Sequence, residues 1–182
     1  MDTARKIDYY TIDDIYNLPE GQRAELIDGE LYMLATPNRI HQKLVMALSN
    51  SIFNYIQSKN GDCDIYTSPF AVFLNIDDKI YLEPDISIIC DKSKLTDEGC
   101  KGAPDWIIEI VSQSSIRMDY YIKLFKYRTA GVREYWIVDS MKQRIMVYNF
   151  EYDTVEEYSF SDKVKVGIYG DFAIDFAGIG IE

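Results

Sequence analysis

The clearest pattern in the chain runs over residues 38–58, where Ile40, Leu44, Val45, Leu48, Ile52 and Ile56 recur at helical spacing. Such a stripe predicts a long amphipathic helix packed on a sheet. Ahead of it, RAELIDGELYML sets two short apolar runs around Asp28-Gly29, a strong hairpin signal because both turn residues tolerate positive φ. Thr11 followed by Asp13 and Asp14 marks the start of a short first helix, with acids near its positive end. After the long helix, SPFAVFLN and EPDISIIC read as strands separated by the turn-rich NIDDK, and residues 91–102 read as a polar loop. DWIIEIV is a further strand; residues 115–130 form a second helix with Gly131 as its C′ residue. REYWIVD and RIMVYNF are strands joined by a short turn, and EEYSF and DFAIDF in the tail predict edge strands. The connection from DWIIEIV to EYWIVD is long enough for a parallel crossover, so the pattern predicts an α/β sandwich around a mixed sheet. A chain of 182 residues with no repeat and no Pro/Gly/Ser-rich linker predicts a single domain over residues 1–182.

Apolar residues make up 47% and charged residues 27%, values that exclude a disordered chain. The formal charge of −11, from 19 basic and 30 acidic side chains, opposes a general electrostatic grip on nucleic acid, which depends on Lys and Arg neutralising phosphates. A nucleic-acid partner then has to be met by a local basic patch or through bound cations. The charge leaves a metal-dependent nuclease open, because such a site is acidic by necessity. Cys63, Cys90 and Cys100 form no CxxC pair and predict reduced thiols. His41 is the only histidine, which argues against a zinc site. MDTARKIDYYTIDD lacks the apolar run of a signal peptide, and no stretch has the length and apolarity to cross a bilayer. The expectation is a soluble cytoplasmic protein without a membrane partner.

Two carboxylates stand out against this background. Glu109 lies in DWIIEIV between Ile107, Ile108, Ile110 and Val111, in a strand that is apolar on both faces. A carboxylate there is costly unless it is paired, hydrogen-bonded or bound to metal; the alternative is an edge-strand Glu facing water. Asp85 sits after Pro84 at the start of an apolar strand, where an Asp is also a common turn residue. Alternation puts Asp85, Ser87 and Ile89 on one face. Two carboxylates on neighbouring strands repel unless a cation sits between them, and hard oxygen donors favour Mg²⁺ or Mn²⁺. Lys123 shares a helix face with Asp119 four residues earlier, and spacing alone favours a surface ion pair worth about 0.3–0.5 kcal/mol. Glu30 and His41, read alone, are an ordinary strand residue and a polar residue at a helix start.

The combination is more specific than its parts. RAELIDGEL, His41 in a helix, EPDISII, PDWIIEIVSQSS, and Asp119, Lys123 and Tyr127 ahead of GVREYWIVD occur in one order along the chain. Over residues 10–176 the sequence resembles the Uma-type restriction endonucleases, a branch of the PD-(D/E)XK nuclease superfamily. The resemblance implies a restriction-endonuclease-like mixed β-sheet flanked by helices, with additional N-terminal and C-terminal β-hairpins. It implies Asp85 and Glu109 as metal carboxylates, joined by the backbone carbonyl of Ile110, with Mg²⁺ or Mn²⁺ as cofactor and Lys123 as catalytic lysine. Glu30 would bind metal or orient its water shell, and His41 would contact the phosphate. The implied activity is metal-dependent endonucleolytic hydrolysis of DNA. Two departures stand: Val111 occupies the position two residues after the acid where the superfamily places its lysine, and Gln113 replaces a proline usual in this branch. The rival reading is a non-catalytic binding module that retains the fold. A homodimer is compatible with the sequence, which does not fix the oligomeric state.

Overall fold

In the computed structural model, which describes residues 9–75 and 79–181, Thr11 opens α1 (Ile12–Tyr16), its N–H donating to the Asp14 carboxylate at 2.7 Å. The hairpin follows as β1 (Ala24–Ile27) and β2 (Glu30–Met33), with Asp28 at φ 54° and Gly29 at φ 82°. Both central residues lie at positive φ, which is the turn that matches the twist of paired strands. The apolar stripe becomes α2 (Arg39–Ser58), capped by the Asn38 side chain, which accepts from the His41 N–H at 2.9 Å. Leu44, Leu48, Ile52 and Ile56 are its buried face.

The middle of the chain supplies β3 (Asp64–Thr67), β4 (Val72–Phe73), β5 (Ile80–Tyr81), β6 (Ile86–Ile89), β7 (Leu95–Thr96), β8 (Gly99–Lys101) and β9 (Trp106–Ile110). A π-helical turn (Met118–Lys123) runs into α3 (Leu124–Ala130), which ends at Gly131 in the left-handed region, φ 93°. Then come β10 (Glu134–Asp139), β11 (Arg144–Asn149), β12 (Thr154–Ser159), β13 (Lys163–Lys165) and β14 (Ala173–Asp175).

Six of these strands form the central sheet in the order β12-β11-β10-β9-β6-β3. Only β9 and β10 pair in parallel, across the predicted helical crossover; the other pairings are antiparallel. Smaller sheets are β2-β1-β5, β4-β8-β7 and the hairpin β13-β14. One face of the central sheet packs α2 and the C-terminal hairpin over Trp106, Ile108, Trp136 and Val138. The other packs Tyr127 of α3 over Ile107, Tyr135 and Ile137. A strand covered on both faces reads as an unbroken apolar run, which is why WIIEI shows no alternation. Among the described residues no helix is long and apolar enough to cross a membrane.

Several local expectations change. SPFAVFLN contributes only the two residues of β4, and the expected loop at 91–102 holds β7 and β8, which pair with each other, β8 also pairing with β4. The expected turn at NIDDK includes residues 76–78, which lie outside the described residues, as does most of the amino-terminal segment read for a leader. DFAIDF is not an edge strand of the central sheet. Ile174 and Phe176 bury on its face beside Val164 and Val166, so the segment pairs back on β13 as a hairpin. The reduced-thiol expectation holds for the buried Cys100 alone, because Cys63 and Cys90 form a disulfide. Strand β3 was not apparent from its short, half-polar pattern, and its antiparallel register with β6 (Asp64 opposite Ile89) sets these two cysteines face to face.

Candidate active site

Asp85 and Glu109 are brought together by strand register. Strands β6 and β9 pair with Ile86 opposite Ile108 and Ser87 opposite Ile107. Continued by one residue, that register sets Asp85 across from Glu109 with both side chains on one face. The Asp85 N–H points at Glu109 Oε2 (3.3 Å), and the Ile110 N–H donates to Asp85 Oδ2 at 2.7 Å. Ile110 therefore meets the site through its main chain. His41, in the first turn of α2, places Nε2 3.1 Å from the same Asp85 Oδ2.

Lys123 points inward. Its ammonium lies 2.8 Å from Glu109 Oε1, 2.8 Å from Glu25 Oε1 and 3.8 Å from Asp119 Oδ1, with its side chain only 6% exposed. Asp119, Lys123 and Tyr127 are spaced four apart. In a regular α-helix each such step drifts about 40° around the axis. The wider π-helical turn spanning Asp119 and Lys123 counters that drift, so all three side chains face the sheet. The Tyr127 hydroxyl donates to Glu109 Oε1 at 2.8 Å, and the Tyr135 hydroxyl ties down the Asp119 carbonyl at 3.0 Å. Lys126, three residues on, turns outward and pairs with Asp28 at 2.6 Å.

Glu30 does not join this group. It is exposed on β2, where the Tyr32 hydroxyl donates to it at 2.8 Å. The first hairpin contributes Glu25 instead, which is buried on β1 and accepts both the Lys123 ammonium and, at 3.0 Å, the Glu83 N–H.

Three carboxylates, Glu109, Glu25 and Asp119, thus surround one ammonium, with Asp85 next to Glu109, and the protonation equilibria reflect the excess of negative charge. Burial pushes the Glu109 carboxyl well above the usual carboxylate range; Lys123 pulls it back, while Asp85, Asp119 and Glu25 add to the push. Burial works against the Lys123 ammonium as well, but Glu109, Glu25 and Asp119 outweigh it and keep the amine charged. Burial lifts Asp119 to about 6, against the opposing pull of Lys123 and Ser115. Since Asp119 has an ordinary value of 3.8, the folded state binds more protons than the unfolded state between about pH 4 and 6. Its contribution to stability should therefore fall as pH rises through that window and stay lost above it. Urea unfolding from pH 4 to 7 checks this: Asp119→Asn should flatten that part of the profile, and an equally steep slope in the variant would assign it to another group.

These side chains line a cavity of about 940 Å³ that also receives Arg23, Glu83, Ser112 and Gln113. Among the described residues no group of three or more His, Cys, Asp and Glu side chains is arranged to hold a metal ion by itself. The donor set nonetheless suits a hard divalent ion. Mg²⁺ keeps several waters and needs only one or two carboxylates, and a crowd of acids with surplus negative charge is offset by a cation. Glu109 gives Oε1 to Lys123 and Tyr127, which leaves Oε2 on the Asp85 side.

A mixed sheet with a parallel β9–β10 pair, helices on its faces and an acid–lysine cluster at its strand ends defines a nuclease-like fold. The solved structures agree: the chain matches the crystal structure of a "putative nuclease belonging to DUF820 from Anabaena variabilis" with a TM-score of 0.75. Identity is 18%, over 93% of this chain and 96% of that one. The Uma2 family, described as "Putative restriction endonuclease", matches residues 8–175, and the chain belongs to that family. No curated protein matches it.

Proposed function

We propose that the protein is a metal-dependent endonuclease that hydrolyses DNA phosphodiester bonds. The observation that carries this reading is the convergence of Asp85, Glu109 and Lys123 from a turn, a strand and a helix into one solvent-connected cavity. Asp85 and Glu109 would hold Mg²⁺ or Mn²⁺, with the Ile110 carbonyl as a further ligand. When bound, the ion supplies Lewis acidity at the scissile phosphate and a water of lowered pKa. The protein's own groups do the rest. Lys123 and Tyr127 fix Glu109 through Oε1, and His41 and the Ile110 N–H fix Asp85 through Oδ2. The Lys123 ammonium is the fixed positive charge beside the reacting phosphate, where it offsets charge that develops in the transition state. Glu30 has no part in this scheme; Glu25 takes its place by holding Lys123.

The test is cleavage of plasmid, linear and single-stranded DNA with Mg²⁺ or Mn²⁺. Cleavage of at least one substrate, abolished by a chelator, is the expected result. A homogeneous protein that cuts none of the three with either ion would be a binding module that has kept the fold.

A further inference from the structure

The cavity is poor in positive charge. Glu25, Glu83, Asp85, Glu109 and Asp119 line it, against two side chains more basic than histidine, Lys123 and Arg23. Lys123 is engaged by three carboxylates. Arg23 is different. Its Nε donates to Glu83 Oε2 at 2.8 Å, and its Nη2 donates to the same oxygen and to Ser68 Oγ at 2.6 Å. The side chain remains 39% exposed, and Nη1 has no protein partner among the described residues. Glu83 is itself buried and held through its other oxygen by the Tyr81 hydroxyl at 2.8 Å. The guanidinium is therefore fixed from behind, with the hydrogens of Nη2 taken by Glu83 and Ser68 and Nη1 left as a charged donor for a phosphate oxygen entering the cavity.

Its position along the chain sets what it can reach. Arg23 precedes β1 and lies two residues before Glu25, so both point to the same side. Two residues along a strand span about 7 Å, close to the spacing of consecutive phosphates on one nucleic-acid strand. The backbone positions of Arg23 and Glu25 are thus about one nucleotide step apart.

We propose that Arg23 forms a phosphate subsite that binds the backbone phosphate next to the one cleaved, so that the cavity takes a polynucleotide strand and not an isolated phosphodiester. This rests on the nuclease reading, and the test separates the two. Wild type, Arg23→Lys and Arg23→Gln are compared for hydrolysis of a short single-stranded oligonucleotide and of bis(p-nitrophenyl) phosphate, which has no neighbouring phosphate. Binding of the same oligonucleotide without metal is followed by fluorescence anisotropy across a salt series. For both variants, kcat/KM on the oligonucleotide should fall about 10- to 100-fold further than on the small diester, mainly through KM. For Arg23→Gln the salt slope of binding should shrink by about one phosphate contact. General damage from leaving Glu83 unpaired would lower both substrates together, and equal losses would overturn the subsite while the nuclease reading stands. If wild type cuts neither substrate but binds the oligonucleotide more tightly than Arg23→Gln, the subsite stands and the nuclease reading fails. A wild type that neither cuts nor binds ends both.

Discussion

Replacing Lys123 by methionine should abolish metal-dependent cleavage and also lower stability by about 3–5 kcal/mol at neutral pH. The two losses have one origin. Among the described residues the ammonium is the single cation within 4 Å of these three buried carboxylates, 2.8 Å from both Glu109 and Glu25 and 3.8 Å from Asp119. Methionine fills much of the same space but leaves those acids facing one another with no counter-charge. Spacing alone would give an exposed pair with Asp119 and a loss of about 0.3–0.5 kcal/mol. Burial decides between the two magnitudes, since Lys123 and Asp119 are 4% and 2% exposed. The deficit should narrow at acid pH, where Glu109 and Asp119, both raised by burial, take up protons and the repulsion falls. Urea unfolding of both proteins at pH 7 and pH 5 measures it. A loss below about 1 kcal/mol at pH 7 would show that the cluster does not depend on the ammonium.

Lys123 also shows what the sequence carried and what it did not. A surface pair with Asp119 and an inward-pointing catalytic lysine look like competing readings of the same four-residue spacing. In the folded chain the Asp119 contact and the inward direction coexist, because the π-helical turn keeps both residues on the sheet-facing side. Nothing in side-chain spacing announces that turn. Glu109 was legible for the opposite reason: a carboxylate in an otherwise apolar run has to be compensated, and Lys123 and Tyr127 compensate it.

The first hairpin is the instructive miss. ELIDGEL offers Glu25 and Glu30 on either side of a turn that the sequence marks well. Register then puts Glu25 opposite Tyr32 and Ile27 opposite Glu30, so the two acids sit at different depths. All four residues of β1 are buried, so no polar–apolar alternation distinguishes the acid that reaches the cavity. Long periodic elements such as α2 were readable because burial on one face repeats over many residues. Short strands such as β3, β7 and β8 were not, because two to four residues cannot establish a period, and the pairing of Cys63 with Cys90 was hidden with β3.

Glu109→Gln should also cost most of the activity, as Lys123→Met does, but without the loss of stability. The amide matches the carboxylate in shape, and its oxygen can still accept from the Tyr127 hydroxyl. Lys123 keeps Glu25 at 2.8 Å and Asp119 at 3.8 Å. What disappears is one negative charge in a nearly dry position, and burial is the first cause of the raised Glu109 pKa. Removing a charge that the fold holds at a cost should leave stability within about 1 kcal/mol of wild type, or raise it. Cleavage, in contrast, should fall by about 10³-fold or more, since an amide oxygen is a weaker ligand than a carboxylate for a hard divalent ion and several kcal/mol of transition-state stabilisation go with the ion. Turnover of plasmid DNA and urea unfolding, measured on the same preparation, separate the outcomes. Wild-type turnover would remove Glu109 from the catalytic scheme. A loss of several kcal/mol in stability would make it instead the structural counter-ion of Lys123, with the acids of the cavity serving the fold.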